Sequence, residues 1–167
     1  MSELTSAQIP SVGPDDHARG EGPEAIVYLD LACPHCAAVW ARVRDMRLRL
    51  AVRHFPMAAK HPRAPALHAA AEAAGLQGRF WDMCDSLLTD HGHQDDPHLW
   101  ERARRFALDL DRFEADRRSE AVSARVRRDF EDGIRAGITS TPAAFVGGRR
   151  VEGEIDTALA SLTSSAI

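Results

Sequence analysis

Cysteine is scarce in this sequence, with three residues in a chain of 167. Small secreted proteins that depend on disulfides usually carry a dense and even set of cysteines. A chain of this length, with 44% hydrophobic residues, can bury a core without cross-links. The scarcity therefore argues against a disulfide-stabilised scaffold.

Long apolar runs, an excess of basic residues and a secretory signal are also absent. No apolar run reaches the about 20 residues that a membrane helix needs, and residues 1–10 lack a basic segment followed by an apolar one. The net charge is -4, and the basic clusters at 102–105 and 125–128 are in phase with apolar residues, as on solvated helix faces. We therefore expect a cytoplasmic protein with no membrane segment and no nucleic-acid partner.

The first third of the chain predicts an arm, a strand, a helix and a second strand. Residues 1–22 are rich in Ser, Pro, Gly and Asp without periodicity, which is typical of a flexible arm. The apolar run 25–31 has the length of a central strand, and a helix is expected from Pro34 to Arg49. Residues 50–55 predict the second strand, because Pro56 ends it.

The middle of the chain has the periodicity of helices, and its end has that of a hairpin followed by a helix. Extended runs on either side of Gly147 and Gly148 are typical of a hairpin. A last amphipathic helix would carry Ile155, Leu159 and Leu162. The helical stretches lie at 65–74, 78–88, from 96 onward, around 111–113 and at 119–136.

Two of the cysteines, Cys33 and Cys36, lie two residues apart at the exit of the first predicted strand. Pro34 suits the first helical position, so Cys33 would face the unpaired N–H groups at the start of a helix, which favour a thiolate. Cys33 would then attack a disulfide and Cys36 would resolve the mixed disulfide. His35, between them, is expected to tune the redox equilibrium.

Zinc binding is the alternative interpretation of this pair. A closed zinc site needs four ligands, and the third cysteine, Cys84, lies within an apolar helix stripe, with His91 and His93 in a following loop. The second ligand pair that zinc spacing requires is absent. We therefore expect no metal and no cofactor, and a buried structural role for Cys84.

Three segments of the chain resemble the DsbA-like branch of the thioredoxin superfamily, over residues 21–153. They are Tyr28–Cys36, the pair 53–57 and 77–83, and 137–150, which contains Thr141-Pro142. The resemblance implies an α/β thioredoxin-like fold, a central mixed sheet flanked by helices, with an inserted all-helical subdomain. The core would then comprise residues 23–60 and 137–167, and the insertion residues 61–136.

The resemblance also implies the roles of the site residues. Cys33, Cys36, His35 and Pro34 would form the catalytic motif. Thr141 and Pro142 would position the substrate, because the matching loop of the family holds a cis proline beside the dithiol and offers strand-like hydrogen bonds to a substrate segment.

The chain departs from the family pattern beneath the dithiol. Many relatives have a glutamate six residues before the first cysteine, where it accepts the proton of the second thiol, and this chain has Val27 there. Deprotonation of Cys36 would therefore depend on water or on another group. The helix after Cys33 is also short, which suggests a truncated substrate groove.

Four other residues are assigned to structure rather than chemistry. Trp40, Phe80 and Trp81 are candidates for the boundary between core and insertion, although aromatic residues at helical spacing usually pack inward. His54, at the end of the second strand, is expected to be a hydrogen-bonded structural histidine.

The resemblance implies a thiol–disulfide oxidoreductase of the DsbA-like type. Its partners would be a protein substrate with a disulfide or thiol, or glutathione, and a redox partner that the sequence does not identify. The alternative is a redox-sensing or protein-binding module without turnover, since related domains occur fused to other proteins, including sodium/proton antiporters. A glutathione-dependent isomerase on this fold is disfavoured because both Cys33 and Cys36 are present.

Overall fold

A five-stranded mixed sheet forms the centre of the computed structural model, which describes residues 11–165. The strand order is β1-β3-β2-β4-β5, with β2 parallel to β3 and the other neighbouring pairs antiparallel. The strands are β1 (His17–Arg19), β2 (Glu24–Leu29), β3 (Arg49–His54), β4 (Ala143–Val146) and β5 (Arg149–Arg150).

Strand β2 lies at the centre of the sheet because it is apolar on both faces. Every residue from Ala25 to Leu29 is buried, and helices cover both sides, as the unbroken apolar run predicts. Its register with β3 places Val27 beside Val52, and its register with β4 places Val27 beside Ala144. The carboxyl end of β2 therefore leads directly into the cysteine pair.

Seven helices are present among the described residues, and five of them form the insertion between β3 and β4. Side-chain caps begin three of these five, since Asp95, Asp109 and Ser119 each accept a hydrogen bond from a backbone N–H three residues later. The helices are α1 (Pro34–Val43), α2 (Ala64–Gly75), α3 (Phe80–Thr89), α4 (Asp96–Arg105), α5 (Leu110–Arg117), α6 (Glu120–Arg135) and α7 (Ile155–Ser164). No helix in residues 11–165 is both long and apolar enough to span a bilayer.

Helix α1 ends at Val43, six residues earlier than the sequence predicts. The N–H of Met46 bonds to the carbonyl of Val43 at 3.0 Å, which closes a turn, and Leu48 then packs into the core with 1% exposure. Burial of Leu48 ends the helix because the chain must reverse to enter β3.

The two faces of the sheet carry separate apolar clusters. Helices α1, α2, α3 and α7 cover the larger one, which includes Val27, and α6 covers the smaller one around Tyr28 and Phe55. Helix α6 lies close to the sheet at Gly133, where an added Cβ would be 2.8 Å from the Phe55 ring. This glycine permits the approach of the helix to the sheet.

The predicted flexible arm at 1–22 is wrong for residues 17–19, while residues 1–10 lie outside the described part of the chain. Strand β1 pairs with β3, and the Arg19 guanidinium lies 5.1 Å from the Trp40 ring centroid and 4.6 Å from that of Trp81. Arg19 also donates to Asp85 at 2.8 Å. Backbone pairing holds this polar segment to β3, and the contacts of Arg19 hold it to α1 and α3, so it needs no apolar periodicity.

The three aromatic candidates for the domain boundary pack inward. Trp40 is 1% exposed and Phe80 5% exposed, and both belong to the larger cluster, against which the half-buried Trp81 packs. The indole N–H of Trp40 donates to Asp85 at 2.7 Å, which satisfies its one polar atom. The stacked rings of Trp40 on α1 and Trp81 on α3 thus join the core to the insertion.

Candidate active site

The cysteine pair lies at the beginning of α1, as the sequence predicts. Cys33 is the N-cap residue and Pro34 follows at the start of the helix. The backbone N–H of Cys36 donates to the Cys33 sulfur at 3.5 Å. All three cysteines are free thiols, and Cys33 is 8% exposed whereas Cys36 is fully buried.

The surroundings of the two sulfurs shift their pKa values in opposite directions. Hydrogen bonds from the Cys36 thiol, the Cys36 N–H, the Thr141 hydroxyl and the His35 N–H lower the pKa of Cys33 from 9.0 to about 5, although burial opposes them. Burial raises the pKa of Cys36, and the neighbouring Cys33 sulfur raises it further. Cys33 is therefore the thiolate of the pair and Cys36 the protonated thiol.

His35 contributes to the low pKa of Cys33 through its backbone N–H. The residue is exposed, and its N–H is one of the groups that lower the pKa of Cys33. Tuning of the dithiol by the His35 imidazole remains a prediction.

The loop before β4 lies against the dithiol. The peptide bond between Thr141 and Pro142 is cis. Thr141 is 9% exposed, and its hydroxyl lies 3.9 Å from the Met57 sulfur and contributes to the lowered pKa of Cys33. The structure thus brings together residues that are more than 100 positions apart in the sequence.

A shallow apolar groove runs beside this loop. Its volume is about 490 Å³, and Ile134 on its wall has 52% of its surface exposed. Pro56, Ala58 and Phe130 continue from it into an adjoining hollow of about 640 Å³. Phe55, Met57, Ile138 and Thr139 also line the groove.

Asp30 lies beneath the dithiol, and the sequence analysis did not identify it. Its backbone N–H donates to the Cys36 sulfur at 3.4 Å. Its buried carboxylate accepts hydrogen bonds from the N–H groups of Ala32 at 2.9 Å and Met57 at 3.1 Å, and contacts His61 Nδ1 at 2.8 Å. The sequence does offer a sign of this role, because Asp30 is an acidic residue at the end of a buried strand, three residues before Cys33. An unpaired charge there would be costly, so partners for its carboxylate are expected.

The pKa of Asp30 is lowered to about 2. Burial alone would raise it, but His68, the Ala32 N–H and His61 more than offset burial. The group is therefore a carboxylate at neutral pH. Val27, six residues before Cys33, is fully buried in β2, and its side chain offers no polar atom.

A chain of imidazoles connects the active-site loop to β1. The Leu31 N–H donates to His68 Nε2 at 3.0 Å, so the proton of neutral His68 lies on Nδ1. His68 Nδ1 then donates to His54 Nδ1 at 2.7 Å, and His54 Nε2 donates to Glu72 at 2.6 Å. The same Glu72 oxygen contacts His17 Nε2 at 2.5 Å. His54 is thus a hydrogen-bonded structural histidine, as predicted.

Three groups in this hydrogen-bond network are also spaced like metal ligands. Ligand atoms of His17, His54 and Glu72 lie within 4.8 Å of one another, and two imidazoles with a carboxylate are a common zinc donor set. However, the Leu31 N–H bond to His68 places a proton on His54 Nε2, the atom that would have to bind the metal. The arrangement therefore fits a hydrogen-bond network better than a metal site.

Cys84 lies apart from the dithiol, in the core on α3. It is 0% exposed, and burial raises its pKa, so it is a thiol at neutral pH. Its packing agrees with the structural role expected from the apolar stripe, and no group of potential metal ligands in residues 11–165 includes it.

Comparison with known proteins gives the family. A sequence model described as Thioredoxin matches residues 18–161. A Na(+)/H(+) antiporter NhaA 1 of Salinispora arenicola is 39% identical over 168 residues, which cover 92% of this chain and 25% of the relative. A Na(+)/H(+) antiporter NhaA of Herminiimonas arsenicoxydans is 38% identical over 167 residues, which cover 93% of this chain and 26% of the relative. The chain thus spans about a quarter of the length of these curated relatives.

Several solved structures share the fold. A thioredoxin-like oxidoreductase from Silicibacter pomeroyi superposes with a TM-score of 0.79 at 23% identity, covering 92% of this chain and 93% of the other. BdbD from Bacillus subtilis superposes with a TM-score of 0.76 at 14% identity, covering 98% of this chain and 100% of the other. Wolbachia pipientis alpha-DsbA2 superposes with a TM-score of 0.74 at 17% identity, covering 98% of this chain and 88% of the other. These likenesses confirm the predicted fold with its helical insertion, and the sequence match shows that the chain belongs to the thioredoxin family.

Proposed function

We propose that this protein is a thiol–disulfide oxidoreductase that cycles Cys33 and Cys36 between dithiol and disulfide. The observation that carries the proposal is the asymmetry of the pair. The pKa of Cys33 is lowered to about 5 at a helix N-terminus, and Cys36 is a fully buried thiol one turn later. A nucleophile and a protected resolving thiol are the two groups that this exchange needs.

The reaction proceeds through a mixed disulfide. The Cys33 thiolate attacks one sulfur of a substrate disulfide, and the other substrate sulfur leaves with the electron pair. Cys36 then attacks the Cys33 sulfur, which forms the Cys33–Cys36 disulfide and releases the reduced substrate. The reverse sequence oxidises a substrate dithiol.

The proposed substrates are protein disulfides or thiols, and glutathione as a small thiol. Thr141 and Pro142 would present backbone groups to an extended segment, and the groove lined by Met57 and Phe130 would receive its apolar side chains. His35 would adjust the equilibrium of the couple. A redox partner that returns the couple to its starting state is part of this proposal.

The lowered pKa of Cys33 bears on the direction of electron flow. Stabilising the thiolate stabilises the reduced form and makes the couple a stronger oxidant. We propose a cytoplasmic location, which the sparse cysteine content supports. In that reducing compartment the couple would rest as a dithiol, ready to reduce a substrate.

A redox-sensing module without turnover is the second candidate. The observation that favours it is the size of the curated relatives, antiporters in which this chain corresponds to about a quarter of the length. In such a module the redox state of Cys33 and Cys36 would alter a contact with another part of a larger protein.

Thiol trapping in glutathione buffers, with turnover of a reducible protein disulfide on the same sample, tests both candidates. For the oxidoreductase we expect exchange and turnover, loss of turnover in Cys33→Ser, and a trapped mixed disulfide in Cys36→Ser. Cys84→Ala is the matched control and keeps turnover. A couple that equilibrates without turnover would favour the sensor, and failure of the pair to form a disulfide would contradict both.

A further inference from the structure

Three polar side chains are buried in the core beside the loop that leads into the dithiol. His54, His68 and Glu72 are 1%, 0% and 6% exposed, and they bond to one another. Apolar side chains of similar volume would fill this space without the cost of removing polar groups from water. What the three residues hold in place therefore explains them better than stability does.

The group that they hold is the peptide unit between Asp30 and Leu31. Its N–H, from Leu31, donates to His68 Nε2 at 3.0 Å. Its carbonyl, from Asp30, accepts a hydrogen bond from the N–H of Cys33 at 3.0 Å. Because a peptide unit is planar, a rotation that frees one of these groups also displaces the other. His68 therefore fixes the backbone that bonds to Cys33.

The same backbone reaches the second sulfur. Burial raises the pKa of Cys36, and the N–H of Asp30, which donates to the Cys36 sulfur at 3.4 Å, opposes that effect. The groups that lower the pKa of Cys33 belong instead to Cys36, Thr141 and His35. A displaced peptide would therefore weaken the contact with the Cys36 sulfur more than it would change the acidity of Cys33.

We propose that His68 is a positioning residue for the dithiol, and that His54 and Glu72 hold its imidazole in the tautomer that accepts a backbone N–H. This inference rests on the oxidoreductase proposed above. Negative charge develops on the Cys36 sulfur as it attacks the mixed disulfide, and the neighbouring backbone N–H stabilises that charge. The effect of His68 is to keep this N–H directed at the sulfur.

The tautomer of His68 is set from the far end of the network. The Glu72 carboxylate can only accept, so the proton of a neutral His54 lies on Nε2, 2.6 Å away, and His54 Nδ1 is an acceptor. His68 Nδ1, 2.7 Å from that acceptor, then carries the proton, which leaves His68 Nε2 for the N–H of Leu31. Burial would raise the pKa of Glu72, but hydrogen bonds with His17 and His54 lower it, so the group is charged at neutral pH.

Asp30 offers His68 a competing partner. Its Oδ1 lies 3.5 Å from His68 Nε2, whereas the Leu31 nitrogen lies 3.0 Å away and can only donate. A protonated His68 would donate to the carboxylate and lose Leu31 as a partner. Burial lowers the pKa of His68 to about 4, so the imidazole is neutral and the backbone N–H keeps its acceptor.

The test separates attack by Cys33 from resolution by Cys36. The reduced protein is mixed rapidly with an aromatic disulfide that releases one coloured thiolate at each step. His68→Leu removes the acceptor at similar volume, and we expect it to slow the second step about five-fold and to leave the first unchanged. His68→Gln can still accept the Leu31 N–H and should restore most of the rate.

Leu99→Ala is the matched control, because Leu99 is fully buried in α4 of the insertion and lies outside the network. It lowers stability without removing a hydrogen-bond acceptor, so both steps should keep their rates. An unchanged second step in His68→Leu would overturn the inference. The same slowing in His68→Gln or in Leu99→Ala would also overturn it.

Nitrogen NMR of the wild-type imidazoles tests the arrangement without any substitution. We expect the proton of His68 on Nδ1 and an acceptor at Nε2 at neutral pH. A proton on Nε2 would contradict the inference, even where a variant folds poorly. Absence of the second step in the wild type would instead overturn the proposed function.

Discussion

The backbone N–H of Cys36 lies 3.5 Å from the Cys33 sulfur and donates a hydrogen bond to it. This contact exists because Cys33 is the N-cap residue of α1, where the first N–H groups of the helix have no carbonyl partner. A thiolate accepts such a bond more strongly than a thiol does. The two-residue spacing of the cysteines therefore supplies one of the hydrogen bonds that lower the pKa of Cys33.

The Thr141 hydroxyl contributes to the low pKa of Cys33, so its removal should raise that pKa. We expect Thr141→Val to raise it from about 5 by about one unit, since a hydrogen bond to a charged group contributes about 1.5–3 kcal/mol. The rate of Cys33 alkylation against pH measures the shift. Thr139→Val, in the same loop but exposed, should leave the profile in place.

The reduced protein should become more stable as pH rises from about 5 toward about 8. The pKa of Cys33 is lower in the folded state than its ordinary value of 9.0, so the folded state releases its proton first. The resulting stabilisation grows above pH 5 and is lost as pH falls through the folded pKa. Denaturant unfolding of the reduced protein, compared with Cys33→Ser, measures it. A difference between the two proteins that is constant with pH would contradict this expectation.

Glu72 should be important for stability because it is buried between two imidazoles. Burial would raise its pKa, but hydrogen bonds with His17 and His54 lower it, so the charged form stabilises the fold above the ordinary carboxyl range and this contribution is lost in acid. We expect Glu72→Gln to lower the free energy of unfolding by about 3 kcal/mol at neutral pH. Glu101→Gln, at an exposed position on α4, should change it little. Equal effects of the two changes would contradict this role.

Gly133 should resist replacement even though it lies within a helix. Alanine is favoured over glycine in helices by about 1 kcal/mol, but a Cβ here would be 2.8 Å from the Phe55 ring and 3.1 Å from Tyr28. Overpacking costs about 1–3 kcal/mol, so we expect Gly133→Ala to give a net loss of stability in thermal unfolding. Gly92→Ala, where nothing lies within 4 Å of the added Cβ, is the control. Stabilisation by Gly133→Ala would show that α6 moves freely on the sheet.

Hydrophobic periodicity and the positions of proline and glycine predicted most of the helices and strands. The run at Ala25–Leu29 is apolar at every position and became the central strand. Prolines and glycines placed most helix ends within a few residues. Strand β1 was missed because His17–Arg19 is short and polar and is held by pairing with β3 and by charged contacts, which leave no local pattern.

The candidate site likewise contains residues that the sequence predicted and residues that it did not. Cys33, Pro34, His35 and Cys36 are adjacent in the chain, so their placement on a helix start follows from local geometry. Asp30 and His61 are 31 residues apart. The sequence around each of these residues gives no sign that their side chains are in contact.

The sequence by itself determined the dithiol, the central strand that presents it and the family to which the chain belongs, because these depend on residues close together in the chain. Tertiary structure decided the burial and the distant contacts that separate the pKa values of the two sulfurs. Packing of α1, α2 and the loop before β4 against one end of β2 buries Cys36, brings the Thr141 hydroxyl near Cys33 and places His61 on Asp30. Burial and distant contacts set the charge of each group, and neither can be read from spacing along the chain.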